Sequence, residues 1–266
     1  MRGLGVRTGG QPAATVALGG ISVLVFVLTH ELTRLAAFAG NTLRFSALDR
    51  FGTVGPYIAE RDDAWQLVTG AFLQHEWWRI FTGAFLHADL RHLLFNMLVL
   101  FLLGRRLEQT VGPGLLAGVY VVSLIGGSAG AMLHRPDAYV VGASGAVYGV
   151  MGAAYLVELL RGGNPWRDGL GSLIVINVVL SFLIPGISIG GHLGGLVAGV
   201  LAGLAIGDTS RRRHPPTLAE RLSNAPVVDA RMRRSPLVVW GLLTLIAAAM
   251  FVVALAAAST WRDPLL

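Results

Sequence analysis

Six side chains of this 266-residue sequence combine into a recognisable piece of chemistry. Ser144 sits between Gly142 and Gly145 in the stretch VVGASGAVYGVMG, at the entrance of an apolar helix. His192 is the one ionisable group in GGHLGGLVAGVLAGLAIG. A serine at the top of one helix and a histidine at the top of another form a candidate nucleophile and base. An imidazole kept from water among glycines stays neutral, which is the form that accepts a proton. Tyr148 lies one turn after Ser144 on the same face, where its ring would stack on His192 or serve as ordinary packing. In FTGAFLHADLRHLLFNML, His92 and Asn96 are four apart and share a helical face. His87 lies half a turn out of phase with Asn96, and reaches it only if the chain bends or begins as a loop. These polar groups admit three readings: interhelical hydrogen bonds, a metal site, or neutral donors for an oxyanion. The His-Glu-x-x-His helix of zinc proteases does not occur.

The elements that must position these groups are membrane helices. The chain is 54% hydrophobic and 14% charged, with a mean hydropathy of +0.64. A soluble domain carries close to twice that charge. The apolar runs are too long for barrel strands, so the expected fold is an all-α, polytopic transmembrane bundle. Without cysteine there are no disulfides, thiolate metal sites or cysteine nucleophiles. The net charge of +6 is all arginine, placed mostly beside membrane spans, which argues against nucleic acid and for contact with membrane lipids. Neither a cofactor nor a metal is expected.

Taken in order, residues 1–12 form an amino-terminal segment with Arg2 and Arg7. The first span, from Ala13 to about Thr29, reads as retained rather than cleaved. The loop of residues 41–79 carries Trp65, Phe72, Trp77 and Trp78, suited to the headgroup layer. Further spans are expected over Leu90–Leu103, Gly114–Leu133, Ser144–Leu160, Gly169–Leu183 and Gly191–Ile206. A basic linker, 208–236, leads to a seventh span, 237–258, and a tail, 259–266. Glu108, beside Arg105 and Arg106, is expected to tie a helix end through ion pairs. Gly145, Gly149 and Ala153 recur every four residues, as do Gly191, Gly195, Gly199, Gly203 and Gly207, so two helices could meet along faces nearly free of side chains. Arginine placement predicts a cytoplasmic amino terminus, and the use of arginine to the exclusion of lysine points to a bacterial cell membrane. Ser144 and His192 then lie at the outward ends of their spans.

The ensemble resembles the rhomboid intramembrane serine proteases. The resemblance runs from about Ile21 to Ile206 and rests on Trp78-Arg79, on His87, His92 and Asn96, on Gly142-Ala143-Ser144-Gly145 with Tyr148, and on Gly191-His192 with Gly195 and Gly199. It implies a six-helix core over residues 13–207, to which the seventh helix is an addition. It implies Ser144 as nucleophile and His192 as general base, with His87, Asn96 and the Ser144 N–H as the oxyanion hole. His92 and Tyr148 support the site, and Trp78-Arg79 is read as structural. The substrates would be transmembrane proteins, cut in or near a membrane helix. Two other classes compete. An inactive rhomboid-like binding protein would typically lack the serine or histidine, and both are here. A transporter with a histidine relay would pair ionisable groups through the midplane, whereas Glu108, Asp137 and Asp208 fall at span ends.

Overall fold

The computed structural model describes residues 11–38, 53–54, 57–61, 64–68, 78–135, 139–207 and 235–260. Its helices are α1 (Ala13–Phe38), a single turn α2 (Arg79–Thr82), α3 (Leu90–Val99), α4 (Arg105–Val111), α5 (Pro113–His134), α6 (Ser144–Leu160), α7 (Leu170–Leu183), α8 (Ile189–Ile206) and α9 (Pro236–Thr260). A π-helical turn, Leu100–Gly104, joins α3 to α4. Two short antiparallel ladders also occur among the described residues. β1 (Thr53–Val54) pairs with β4 (Tyr139–Val140), and β2 (Tyr57–Arg61) forms a hairpin with β3 (Ala64–Val68). The first ladder ties the long loop to the segment that enters α6.

The helix ends follow local chemistry. Asp89 caps α3 by accepting the His92 N–H at 2.9 Å, and Ser188 caps α8 by accepting that of Gly191 at 3.1 Å. Pro113 opens α5 where a missing N–H costs nothing. The helices α5, α8 and α9 contain segments long and apolar enough to cross a membrane, and Ala13–Thr29, α6 and α7 are shorter apolar helices. The described chain is thus a bundle of apolar helices, with β structure confined to the connections.

At the centre of the bundle α8 runs between α5 and α6 with almost no side chain in the way. A Cβ on Gly195 would run into the backbone of Gly145, and one on Gly199 into that of Gly149. On the other side of α8, Gly190 and Gly194 abut the backbone of Gly130 and Gly126. Such close approach replaces the hydrophobic effect, which supplies little between helices in lipid, with backbone dispersion contacts. Ala153, Ala198 and Ala202 are fully buried along the same seam. Packed along α5, α9 lays Trp240 across Gly114 and Gly118. By contrast α7 is peripheral, with Val175, Val179, Phe182 and Leu183 exposed.

One expectation needs correcting. Glu108 is buried and makes no ion pair among the described residues. Its carboxylate accepts the backbone N–H groups of Ala14 and Thr15 at 2.9 and 2.8 Å, and the Thr15 hydroxyl at 2.7 Å. It therefore closes the amino end of α1, whose first amides otherwise lack acceptors. The ion pairing falls to Arg106, which reaches Asp168 at 2.7 Å and Glu158 at 3.5 Å. Asp168, ahead of Glu158, raises the basicity of that guanidinium.

Candidate active site

The loop between α2 and α3 places His87. After a 3-10 turn, Gly83–Phe85, the backbone is extended at Leu86, so His87 precedes the helix and its register. The His87 ring is buried and both its nitrogens face backbone groups: Nδ1 lies 3.3 Å from the Phe85 carbonyl, and Nε2 lies 3.4 Å from the Ala143 N–H. The consistent tautomer has Nδ1 donating and Nε2 accepting. His92 stands edge-on to His87, with ring centroids 5.1 Å apart. Its edge lies over Gly142, where any Cβ would come 2.6 Å from Nε2. Gly142 also has φ +117, so glycine is required there twice over. Asn96 is buried and donates one Nδ2 hydrogen to the His92 carbonyl at 2.9 Å, which leaves its second hydrogen and its Oδ1. Asp89 is held below the usual carboxylate range, chiefly by the His92 N–H it accepts.

Ser144 is the first residue of α6. The Gly142 N–H donates to the Gly83 carbonyl at 2.9 Å, which fixes the entering strand against the α2–α3 loop. Ser144, Gly145 and Ala146 border a cleft with about 350 Å³ of open space, with Gly127, Ser128, Ser188, Gly191 and Val140–Gly142 on its other walls. Ser128 Oγ donates to the Ile80 carbonyl at 3.2 Å beside it. The first amides of a helix face outward unpaired, so the start of α6 offers donors to a developing negative charge.

His192 is buried one turn into α8. Its ring lies face to face with Tyr148, centroids 4.0 Å apart and planes at 20°. Its Nδ1 is 2.7 Å from Ser181 Oγ on α7. The Tyr148 hydroxyl donates to the Asn177 carbonyl at 2.6 Å and lies 2.7 Å from the same Ser181 oxygen. Neither Ser181 nor Asn177 is singled out by the sequence, where they look like packing residues of an apolar run. Ser144 and His192 are drawn together by their neighbours: a Cβ on Gly145 would lie 3.3 Å from the Gly191 carbonyl. No direct Ser144–His192 hydrogen bond forms among the described residues, and none joins Asn96 to Ser144. Free enzymes often hold such pairs loosely and tighten them on substrate.

Trp78 is partly exposed and its carbonyl accepts the N–H groups of Phe81 and Thr82. The side chains of Arg79, His30 and Glu31, and those of the tryptophan-rich loop before Trp78, lie outside the described residues. Among the described residues no group of three or more His, Asp or Glu could hold a metal ion.

Fold and site together define a multi-pass helical membrane protein with a serine and a histidine at adjoining helix ends. Residues 74–209, just over half the chain, match the Rhomboid domain, and the chain belongs to the rhomboid family. It is similar to YdcA of Bacillus subtilis, 36% identical over 121 residues, covering 44% of this chain and 61% of that one. It is also similar to the RHOMBOID-like protein 6, mitochondrial, of Arabidopsis thaliana, 31% identical over 145 residues, covering 52% and 43%. The rhomboid protease GluP of Bacillus subtilis is 36% identical over 187 residues, covering 69% of this chain and 32% of its own. The matched stretch thus spans less than two thirds of each of these relatives.

Proposed function

We propose that this chain is an intramembrane serine endopeptidase that cuts transmembrane protein substrates with a Ser144–His192 pair. The observation that carries the reading is the seating of α6 on α8 at Gly145 and Gly191, with the His192 ring clamped by Tyr148 and Ser181. Ser144 Oγ attacks the scissile carbonyl while His192 Nε2 takes the hydroxyl proton. The tetrahedral oxygen receives hydrogen bonds, and His192 returns the proton to the leaving amine. Water, deprotonated by the same imidazole, then releases the acyl group from Ser144. We assign the oxyanion donors to His92 Nε2, Asn96 Nδ2 and the Ser144 N–H. His87 is better suited to shaping the loop, because both its nitrogens already face backbone partners. Helical amides are shielded by their own hydrogen bonds, so the substrate helix unwinds locally to present its bond.

By the arginine asymmetry the amino terminus is cytoplasmic and the site opens outward, in what the all-arginine charge suggests is a bacterial plasma membrane. Reporter fusions in the Gly162–Asn164 turn should report cytoplasm and those near Asp62 the outside. The opposite pattern overturns this orientation.

A second reading, a rhomboid-like binding factor without activity, is favoured by the missing Ser144–His192 hydrogen bond. A fluorophosphonate probe decides between them, since its phosphonyl group mimics the tetrahedral intermediate. Labelling of the detergent-solubilised chain should fall on Ser144, vanish in Ser144→Ala and drop steeply in His192→Ala. It should fade at acid pH, where a doubly protonated imidazole accepts nothing. It should survive a strong chelator. A folded chain that neither reacts at Ser144 nor cleaves any membrane substrate would be the binding factor.

A further inference from the structure

The base has a third partner, carried on a helix that the two-residue reading does not use. We propose that Ser181 is a positioning residue for His192: its hydroxyl takes the Nδ1–H and so holds the ring in the tautomer whose Nε2 is free. The inference deepens the Ser144–His192 reading and rests on it.

A count of hydrogens supports the assignment. Four groups meet here: His192 Nδ1, Ser181 Oγ, the Tyr148 hydroxyl and the Asn177 carbonyl. The carbonyl can only accept, so the Tyr148 proton points to it across 2.6 Å. If Nδ1 carries the imidazole proton, it donates to Ser181 Oγ at 2.7 Å, and the Ser181 proton passes on to the Asn177 carbonyl at 2.9 Å. Every polar hydrogen of the cluster is then used, in one chain of donors running toward a carbonyl. If the proton sits on Nε2 instead, Ser181 must turn its hydroxyl toward Nδ1 and abandon Asn177. That arrangement makes one bond fewer inside a buried cluster, where an unmade bond is expensive.

Serines in membrane helices commonly bond back to the carbonyl four residues earlier, and Ser181 does so. That habit explains one of its contacts. It does not explain two further side-chain partners, each 2.7 Å away, on a residue only 4% exposed. Tyr148 and Ser181 divide the work: the stacked ring fixes the tilt of the imidazole, and the hydroxyl fixes its rotation within the plane. When Nε2 takes the Ser144 proton, the Nδ1–H keeps the same acceptor, so the charged ring is held without rearrangement. In serine proteases with a triad a carboxylate has this task. Here a neutral hydroxyl backed by a carbonyl does it, and Ser181 itself never accepts the proton.

The experiment reads tautomer and rate separately. Nitrogen NMR of the full chain labelled at histidine, with His192 assigned by comparison with His192→Gln, should show a proton on Nδ1 and none on Nε2. Ser181→Ala should mix the tautomers and slow fluorophosphonate labelling of Ser144 by about 10- to 100-fold, part of what a well-placed general base contributes. Ser181→Thr, which keeps the hydroxyl, should restore both. The proposal is overturned if His192 in the unaltered chain is protonated on Nε2. It is overturned equally if Ser181→Ala leaves tautomer and rate unchanged. Because the first measurement needs no substitution at 181, a poorly folding alanine variant does not block the test. If the unaltered chain shows the Nδ1–H tautomer but Ser144 never reacts, the peptidase reading fails and the positioning role stands.

Discussion

Glu108 and Thr15 are joined by two hydrogen bonds, one to the hydroxyl and one to the backbone N–H of the threonine, across 93 residues of sequence. A third bond, from the Ala14 N–H, engages the other carboxylate oxygen. The start of α1 is thereby stitched to α4, below the π-helical turn. Removing the carboxylate leaves one buried and one part-buried backbone donor and a buried hydroxyl without that partner. Glu108→Ala should therefore destabilise the chain by roughly 3 kcal/mol, taking each lost charge-assisted bond as partly replaced by water. Glu108→Gln, which keeps an acceptor, should cost less. Unfolding midpoints in detergent check both, and a Glu108→Ala midpoint equal to that of the unaltered chain would contradict this capping role.

The glycines of the bundle divide sharply by what surrounds them. Gly195→Ala drives a methyl group into the Gly145 backbone, beside Ser144, and should lower both stability and labelling. Gly241, on α9, has nothing within 4 Å of a hypothetical Cβ. Gly241→Ala should be neutral, or stabilise by about 0.5–1 kcal/mol through helix propensity alone. Equal effects of the two substitutions would mean that the seam tolerates separation.

The proposed oxyanion donors can be ranked by turnover. Asn96→Ala and His92→Ala should each slow cleavage by roughly 10- to 1000-fold, the range for loss of one such donor. His87→Ala should act more on folding, because its ring joins the Phe85 carbonyl to the Ala143 amide. Cleavage rates set beside unfolding midpoints separate the cases. If His87→Ala left the fold intact and abolished turnover, the hole would contain His87, as the sequence alone suggests.

Tyr148 offers a graded test of the clamp. Tyr148→Phe keeps the ring on His192 but gives up the bond to the Asn177 carbonyl and the oxygen contact with Ser181. It should slow labelling only a few-fold, in keeping with roughly 1 kcal/mol for a neutral hydrogen bond. Tyr148→Ala removes the stack as well and should slow it much further. Labelling by Tyr148→Ala as fast as by Tyr148→Phe would show that the stack does not orient the base.

Much of this architecture is readable from sequence because membranes make patterns coarse. The span Ser144–Leu160 ends where Arg161 and a glycine-rich turn demand it, and α6 occupies those residues. The four-residue glycine spacing places α6 against α8, and the structure adds α5 to the same seam through Gly126 and Gly130. Ser181 escapes notice for a physical reason. It is one small hydroxyl in LSFLIP, and nothing in the run signals that α7 turns it toward α8. Glu108 misleads because its sequence neighbours are arginines, whereas burial sets it against the backbone of α1. The pairing of Thr53–Val54 with Tyr139–Val140 joins segments more than eighty residues apart, beyond the reach of local pattern.

The seam of glycine and alanine bears on how the site becomes ordered. Gly and Ala have no side-chain rotamers to lose, so once α5, α6 and α8 are helical, bringing them together freezes almost nothing further. A seam of leucines would have to immobilise several rotatable bonds per residue to reach comparable definition. In this chain the rotamer entropy surrendered around Ser144 and His192 is concentrated in a few rings and hydroxyls: Tyr148, His92, Ser181 and His192 itself. The helical frame is a low-entropy object from the start, and the disorder that substitution or substrate could release is confined to the groups placed around the chemistry.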